Sequence, residues 1–250
     1  MEIRVLGPVE VVEDGRILRP GSRKQLALLA LLVLRGNRGA SRDVLIEELW
    51  RGNPPPAAET TLRSYVSRLR AIVGVDRLQT RRAGYALVLA PEELDAHRFE
   101  QLLASGREAL ASKDAAEAAT QLRKALELWR GDALDDVRDE DFAQAEIARL
   151  HELQLQALEE RIEADLALGR HESVVPELET LVGEHSLRER LCHQLMIALY
   201  RSGRQAEALA AYANARRLLS YELGLEPGHD LRAMERAILR QDASLDLPLF

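Results

Sequence analysis

The spacing of apolar residues changes character near residue 93, and the change separates a mixed region from a wholly helical one. In the first region Ile3 and Val5, then Val9 and Val11, stand at alternate positions, and Asp14-Gly15 is a turn before Ile17 and Leu18. That pattern predicts a small antiparallel sheet. Ser22 can cap a helix through the Leu26 to Leu34 block, which is apolar on nearly every side and therefore expected to be buried, ending at Gly36-Asn37. Ser41, with Asp43 in the first turn, opens a second helix whose Val44, Leu45, Leu49 and Trp50 are expected to face the core.

From Arg51 to Ala57 the consecutive prolines Pro54, Pro55 and Pro56 forbid helix and predict a stiff, exposed loop. Ala58 to Gly74 follows. At about 100° per residue its Leu62, Val66, Leu69 and Val73 form one apolar stripe, with Thr60, Arg63, Ser64, Ser67 and Arg70 opposite. Arginines on an amphipathic helix are usually just solvated, but short hydroxyls beside guanidinium groups, with Glu59 the only acid, also suit docking on a polyanion. The flanks favour docking: two short β-patterned runs around Arg81-Arg82-Ala83-Gly84 predict a hairpin with a basic tip. Sheet, three helices and hairpin make up a winged helix-turn-helix, in which the third helix enters the major groove.

Pro91-Glu92-Glu93 ends the β pattern, which puts an expected boundary at 1–93 and 94–250. In the second part Gly169 and Gly203 are 34 residues apart, the period of tetratricopeptide (TPR) repeats. Ala208 and Ala215 stand at expected helix crossings with Tyr212 as a large filler, and Ala118 and Ala125 occupy matching places after Lys113. About three stacked helical hairpins are expected, capped by the segment beginning Pro227-Gly228-His229 after a helix end at Leu223-Gly224. The fold class is thus an α+β winged helix-turn-helix domain followed by an all-α TPR-like helical-repeat domain.

Charge sharpens this division. The net charge of -7 conceals +4 over residues 1–94 and -11 over the rest, so the first part alone attracts nucleic acid. The longest apolar run is too short to span a bilayer and no signal peptide opens the chain, which points to a cytoplasmic protein with no membrane partner. Cys192 is expected to be a buried structural thiol, and the six scattered histidines have no metal-ligand spacing. No phosphate loop, nucleophile elbow or CxxC pair is present, so no catalytic residue, metal or cofactor is expected.

On the third helix Thr60, Arg63, Ser64 and Ser67 are the candidate base-facing residues, Arg63 foremost because its fork matches the two acceptors of guanine. Arg68 and Arg70, with Arg81 and Arg82 on the wing, are candidates for phosphate contact, while Tyr65 and Tyr85 are expected to pack. The acidic segment 132–141 has a solvated loop as its default reading, a polymerase contact as its alternative.

The order of parts, together with RKQLALLALLVL, LIEELW, TLRSYVSRLR and GYAL, then LDAHRFE, ALELWRGDAL, LRERLCHQLMIALYRSGRQAEALAAY and ELGLEPGHDLR, resembles the actinobacterial antibiotic regulatory protein (SARP) family of activators, in which an OmpR-type winged helix precedes a bacterial transcriptional activation domain. The resemblance runs nearly end to end, and is to a minimal activator or an excised activator segment. Ser186 replaces the usual proline before LRER, which would lengthen a helix slightly. The resemblance implies binding to repeated promoter elements of double-stranded DNA as a homodimer, recruitment of RNA polymerase, and control of an antibiotic-type gene cluster. It also implies a polymerase contact in the loop before the third helix, through Arg51, Asn53, Pro54 and Pro55. The rival reading is a helical-repeat adaptor for a protein or small ligand, its winged domain used only for packing or dimerisation.

Overall fold

A computed structural model describes residues 1–246; the last four residues of the expected second domain lie outside the described residues. Contacts divide the chain into two compact units, one of residues 1–104 and 124–155, the other of 105–123 and 156 onward.

The first unit opens with β1 (Glu2–Arg4), β2 (Glu10–Glu13) and β3 (Arg16–Leu18), an antiparallel sheet in that order. Asp14 and Gly15 both have positive φ, 50° and 76°, the tight turn whose twist matches the flanking strands. Helix α1 (Arg23–Arg35) is capped by Ser22, whose hydroxyl accepts from the Gln25 N–H at 3.3 Å, and it is buried without a break from Ala27 to Val33. Strand β4 (Ala40–Ser41) leads into α2 (Arg42–Trp50), where the Ser41 hydroxyl accepts from the Val44 N–H. Its core face is narrower than the spacing predicts. Leu45 and Leu49, one turn apart, are fully buried, whereas Val44, about 100° round the helix, is 39% exposed. Trp50 is half-buried rather than core, stacked on Tyr65 with ring centroids 6.4 Å apart.

Helix α3 (Ala58–Val73) buries Leu62, Val66, Leu69 and Val73, the stripe its spacing predicts. Strands β5 (Leu78–Thr80) and β6 (Gly84–Leu87) form the hairpin, and β4 adds to the free edge of β6 to give the order β4-β6-β5. Gly84 has no substitute here: a Cβ would collide with the Ala40 carbonyl oxygen across the β4–β6 pair.

This unit continues past residue 93. Helix α4 (Asp95–Ala111) begins with a buried carboxylate that accepts from the Val5 N–H at 2.8 Å and the Leu6 N–H at 3.0 Å. Burial pushes the Asp95 pKa up, against the opposing pull of those two amides and Arg130. Beyond α5 (Ala115–Leu126), the Arg130 and Leu134 N–H groups donate to the Leu6 and Val5 carbonyls, and Phe99 meets Trp129 edge-on at 5.5 Å. The partition therefore does not coincide with the change of pattern, because residues 124–155 carry hydrogen bonds and aromatic packing that complete the unit begun by β1.

The second unit takes in the later part of α6 (Asp141–Ala167), then α7 (His171–Glu184), α8 (Glu189–Arg201), α9 (Gln205–Leu223) and α10 (His229–Arg240). One turn recurs three times. Gly169, Gly203 and Lys113 each have left-handed backbone, φ 75°, 75° and 62°, and each donates to the carbonyl three residues back, while the following residue donates to the carbonyl five before itself. Glycine tolerates that conformation freely, and at the first turn a lysine adopts it. Ala118, Ala208 and Ala215 are buried, which permits close helix crossing, and Tyr212 is buried on the same helix as the last two. Ser186 does not extend a helix: α7 stops at Glu184 and α8 starts at Glu189. Cys192 is buried in α8, and burial pushes its thiol up to about 12.

Asp165, its side chain 3% exposed, accepts from Arg161 at 3.0 Å, Arg170 at 2.8 Å and Arg123, and Arg161 also reaches Glu177. Burial alone would raise its pKa; the hydrogen bonds from Arg170 and Arg123 outweigh that and hold it below the ordinary carboxylate range. No helix among the described residues is long and apolar enough to cross a membrane.

Candidate nucleic-acid interface

Because α3 commits Leu62, Val66, Leu69 and Val73 to the core, its remaining positions face outward as a set. Thr60, Arg63, Ser64, Ser67 and Arg68 are all exposed, and the steps of three and four residues from Thr60 to Arg63 and Ser64, and from these to Ser67 and Arg68, put them along one side of the helix. The three arginines are in three different electrostatic situations. Arg63 donates to Glu59, one turn earlier, at 2.9 Å, with both side chains about 60% exposed. Arg68 has no side-chain partner among the described residues. Arg70 is half-buried and occupied: its Nε donates to the Leu78 carbonyl at 2.9 Å and an Nη to the Thr80 hydroxyl at 2.7 Å. It is a strut between α3 and β5, so in this structure its donors are spent on the wing rather than presented for a phosphate.

At the wing tip the Arg81 N–H donates to the Gly84 carbonyl at 2.8 Å and closes the turn, leaving Arg81 and Arg82 exposed with no side-chain partner among the described residues. A residue without a local sequence signal joins them. The Arg42 N–H donates to the Ala83 carbonyl at 3.0 Å, and its guanidinium lies 5.9 Å from the centre of the Tyr85 ring. Only the pairing of β4 with β6, remote in sequence, brings Arg42 to the wing. Tyr85 is itself buried, a packing residue.

The loop before α3 divides. Asn53, Pro54 and Pro55 are exposed, whereas Arg51 is engaged. It closes α2 in a left-handed conformation, donates to the Asp139 carbonyl, and lies 3.5 Å from the buried Glu140 and 3.9 Å from Asp141. Lys24 approaches Glu140 at 3.5 Å and Arg23 pairs with Asp139 at 2.9 Å. Asp136 accepts from the Val9 N–H at 3.1 Å. The acidic segment is thus fastened across the starts of α1 and β2 and the end of α2, which corrects its default reading as a solvated loop.

Such a face can do two things. Hydroxyls and an arginine fork on an exposed helix offer donors to base edges in a major groove, which is wide enough for a helix, while unpaired arginines at its flank and on a hairpin tip neutralise phosphates. It has no arrangement for bond-breaking chemistry, and no group of three metal-ligating side chains converges among the described residues.

Two family models match along the chain: "Transcriptional regulatory protein, C terminal" over residues 20–87 and "Bacterial transcriptional activator domain" over 94–239. The chain belongs to the SARP family of transcriptional regulators, a regulatory rather than enzymatic family. It is 39% identical to the regulatory protein DnrI of Streptomyces peucetius, covering 98% of this chain and 94% of that one. It is 44% identical to the regulatory protein AfsR of Streptomyces griseus over 99% of this chain, but spans only 25% of AfsR. A solved structure of Mycobacterium tuberculosis EmbR, in complex with a low-affinity phosphopeptide, superposes with a TM-score of 0.91 at 38% identity, covering this whole chain and 66% of EmbR.

Proposed function

We propose that this chain is a transcriptional activator that reads promoter DNA with α3 in the major groove and the Arg81-Arg82 wing on the neighbouring backbone. Residues 1–93 would supply the DNA contacts and the helical part would hold a partner. The observation that carries this is the exposed row Thr60, Arg63, Ser64, Ser67 and Arg68, with Arg81 and Arg82 free of internal partners among the described residues. Unpaired surface arginines beside short hydroxyls fit a polyanion that is also read in sequence. Arg63 is the base reader, and Arg68, Arg81 and Arg82 meet phosphates.

Family membership extends the proposal to repeated promoter elements, two protomers on DNA, RNA polymerase as the recruited partner, a biosynthetic gene cluster of the antibiotic type as the target, and the cytoplasm as the place of action. Asn53, Pro54 and Pro55 form the polymerase-facing loop, and Arg51 anchors it through Asp139 and Glu140. The test is binding to fragments of the promoters beside its own gene across a salt series. The logarithm of affinity should fall with the logarithm of salt by about 0.9 for each phosphate neutralised. Absent or salt-insensitive binding overturns the proposal.

A further inference from the structure

An acid on a face that meets phosphates works against binding, so Glu59 calls for a reason. It is the only acid in α3, is exposed, and pairs at 2.9 Å with Arg63, the residue assigned to read a base. A solvent-exposed pair one helical turn apart adds only about 0.3–0.5 kcal/mol to a helix, and an acid in its first turn about 0.3–1 kcal/mol, so the pair matters less for stability than for where it holds Arg63. Its consequence is directional. The carboxylate holds one edge of the Arg63 guanidinium along the helix and lowers the gain from swinging that side chain onto a phosphate. Arg68, with no side-chain partner among the described residues, is not restrained in this way.

We propose that Glu59 is a positioning residue for sequence discrimination: through its ion pair it aims Arg63 at base edges and denies it to the phosphate backbone. The proposal rests on the DNA-reading function above. A neutral residue in its place frees Arg63 to act as one more non-specific cation. Affinity for arbitrary DNA then rises, while affinity for the proper site, where the guanidinium is already engaged with a base, changes little.

The experiment uses the full chain, a duplex selected by the wild-type protein from a randomised pool, and a scrambled duplex of the same composition. Glu59→Gln should bind the scrambled duplex more tightly, with a salt slope steeper by about 0.9, one additional phosphate. The ratio of the two affinities should fall about fivefold, the lower end of what one bidentate base contact supplies. In an Arg63→Ala background the same substitution should leave the ratio unchanged, since there is no guanidinium left to aim. An unchanged ratio in the single variant, or an equal fall in the Arg63→Ala background, overturns the role. Weakened binding to the selected duplex alone also overturns it, because Glu59 would then be reading a base itself. If the variant melts lower and loses affinity for both duplexes equally, Glu59 serves only the helix N-terminus and the role fails. If the wild-type chain prefers no duplex, the DNA-reading function falls first and this role with it.

Discussion

Arginine is used in opposite ways in two regions of this chain. Around Asp165, Arg123, Arg161 and Arg170 converge on one buried carboxylate, and Arg161 takes Glu177 as well. On the outer side of α3 and at the wing tip, Arg68, Arg81 and Arg82 have no side-chain partner among the described residues, and Arg63 has only an exposed one. The first set is consumed by folding and tells a partner nothing. The second is left over after folding, which is the condition for contacting something else. Net charge alone conceals this, since the more acidic region also contains arginines, neutralised where they stand.

The largest effect that would break this comparison lies in the buried set. Asp165→Asn leaves Arg123 and Arg170 without the carboxylate they share and Arg161 with Glu177 alone, and removing one partner of a buried pair costs about 3 kcal/mol. Urea denaturation should show the loss. A change near zero would mean that water reaches the cluster and the contrast with α3 is false. Acid supplies a second reading of the same group. The folded Asp165 pKa lies below the ordinary value of about 4, so its ion pairs stabilise fully above that value, and the stabilisation is withdrawn as pH falls through the folded pKa. The wild-type chain should therefore lose more stability than the asparagine variant over that acidic interval.

What could be read from the sequence depended on how local each feature is. The α3 stripe, the Ser22 and Ser41 caps and the Gly169 and Gly203 turns are decided by residues within one or two turns of each other, and the structure has them as the spacing predicts. Val44 misled because a short helix touching the core on a narrow strip exposes an apolar residue one position away from it. Strand β4, the Arg42 placement, the Arg70 strut and the fastening of Asp139 and Glu140 to Arg23, Lys24 and Arg51 all join segments far apart in the chain or depend on hairpin geometry. No period or local motif records such pairings. The candidate face on α3 was therefore legible as a face, whereas the occupation of Arg70 and Arg51 was not.

Within the exposed set the effects are smaller and differ in kind. Arg63→Ala should reduce discrimination between the selected and a scrambled duplex by about 2 kcal/mol, measured by competition at fixed salt. Intact discrimination would move the base-reading role off this residue. Arg70→Ala removes two hydrogen bonds that fix the wing to α3, worth on the order of 1 kcal/mol each. Its expected readout is faster amide exchange in β5 and weaker binding to every duplex. Unchanged exchange in β5 would show that Leu78 and its neighbours hold the wing without the strut.

The smallest effect is the most diagnostic of a residue left over after folding. Arg82 has no internal partner among the described residues, so Arg82→Ala should leave the unfolding midpoint in place. Binding to selected and scrambled duplexes should weaken equally, by less than about 1 kcal/mol, with the salt slope shallower by about 0.9. Those three readings separate the possible roles of an exposed arginine. A lowered unfolding midpoint would place it with the Asp165 cluster, a loss confined to the selected duplex would make it a base reader like Arg63, and a uniform loss with a shallower slope leaves it what its surroundings imply, a cation held out for a phosphate.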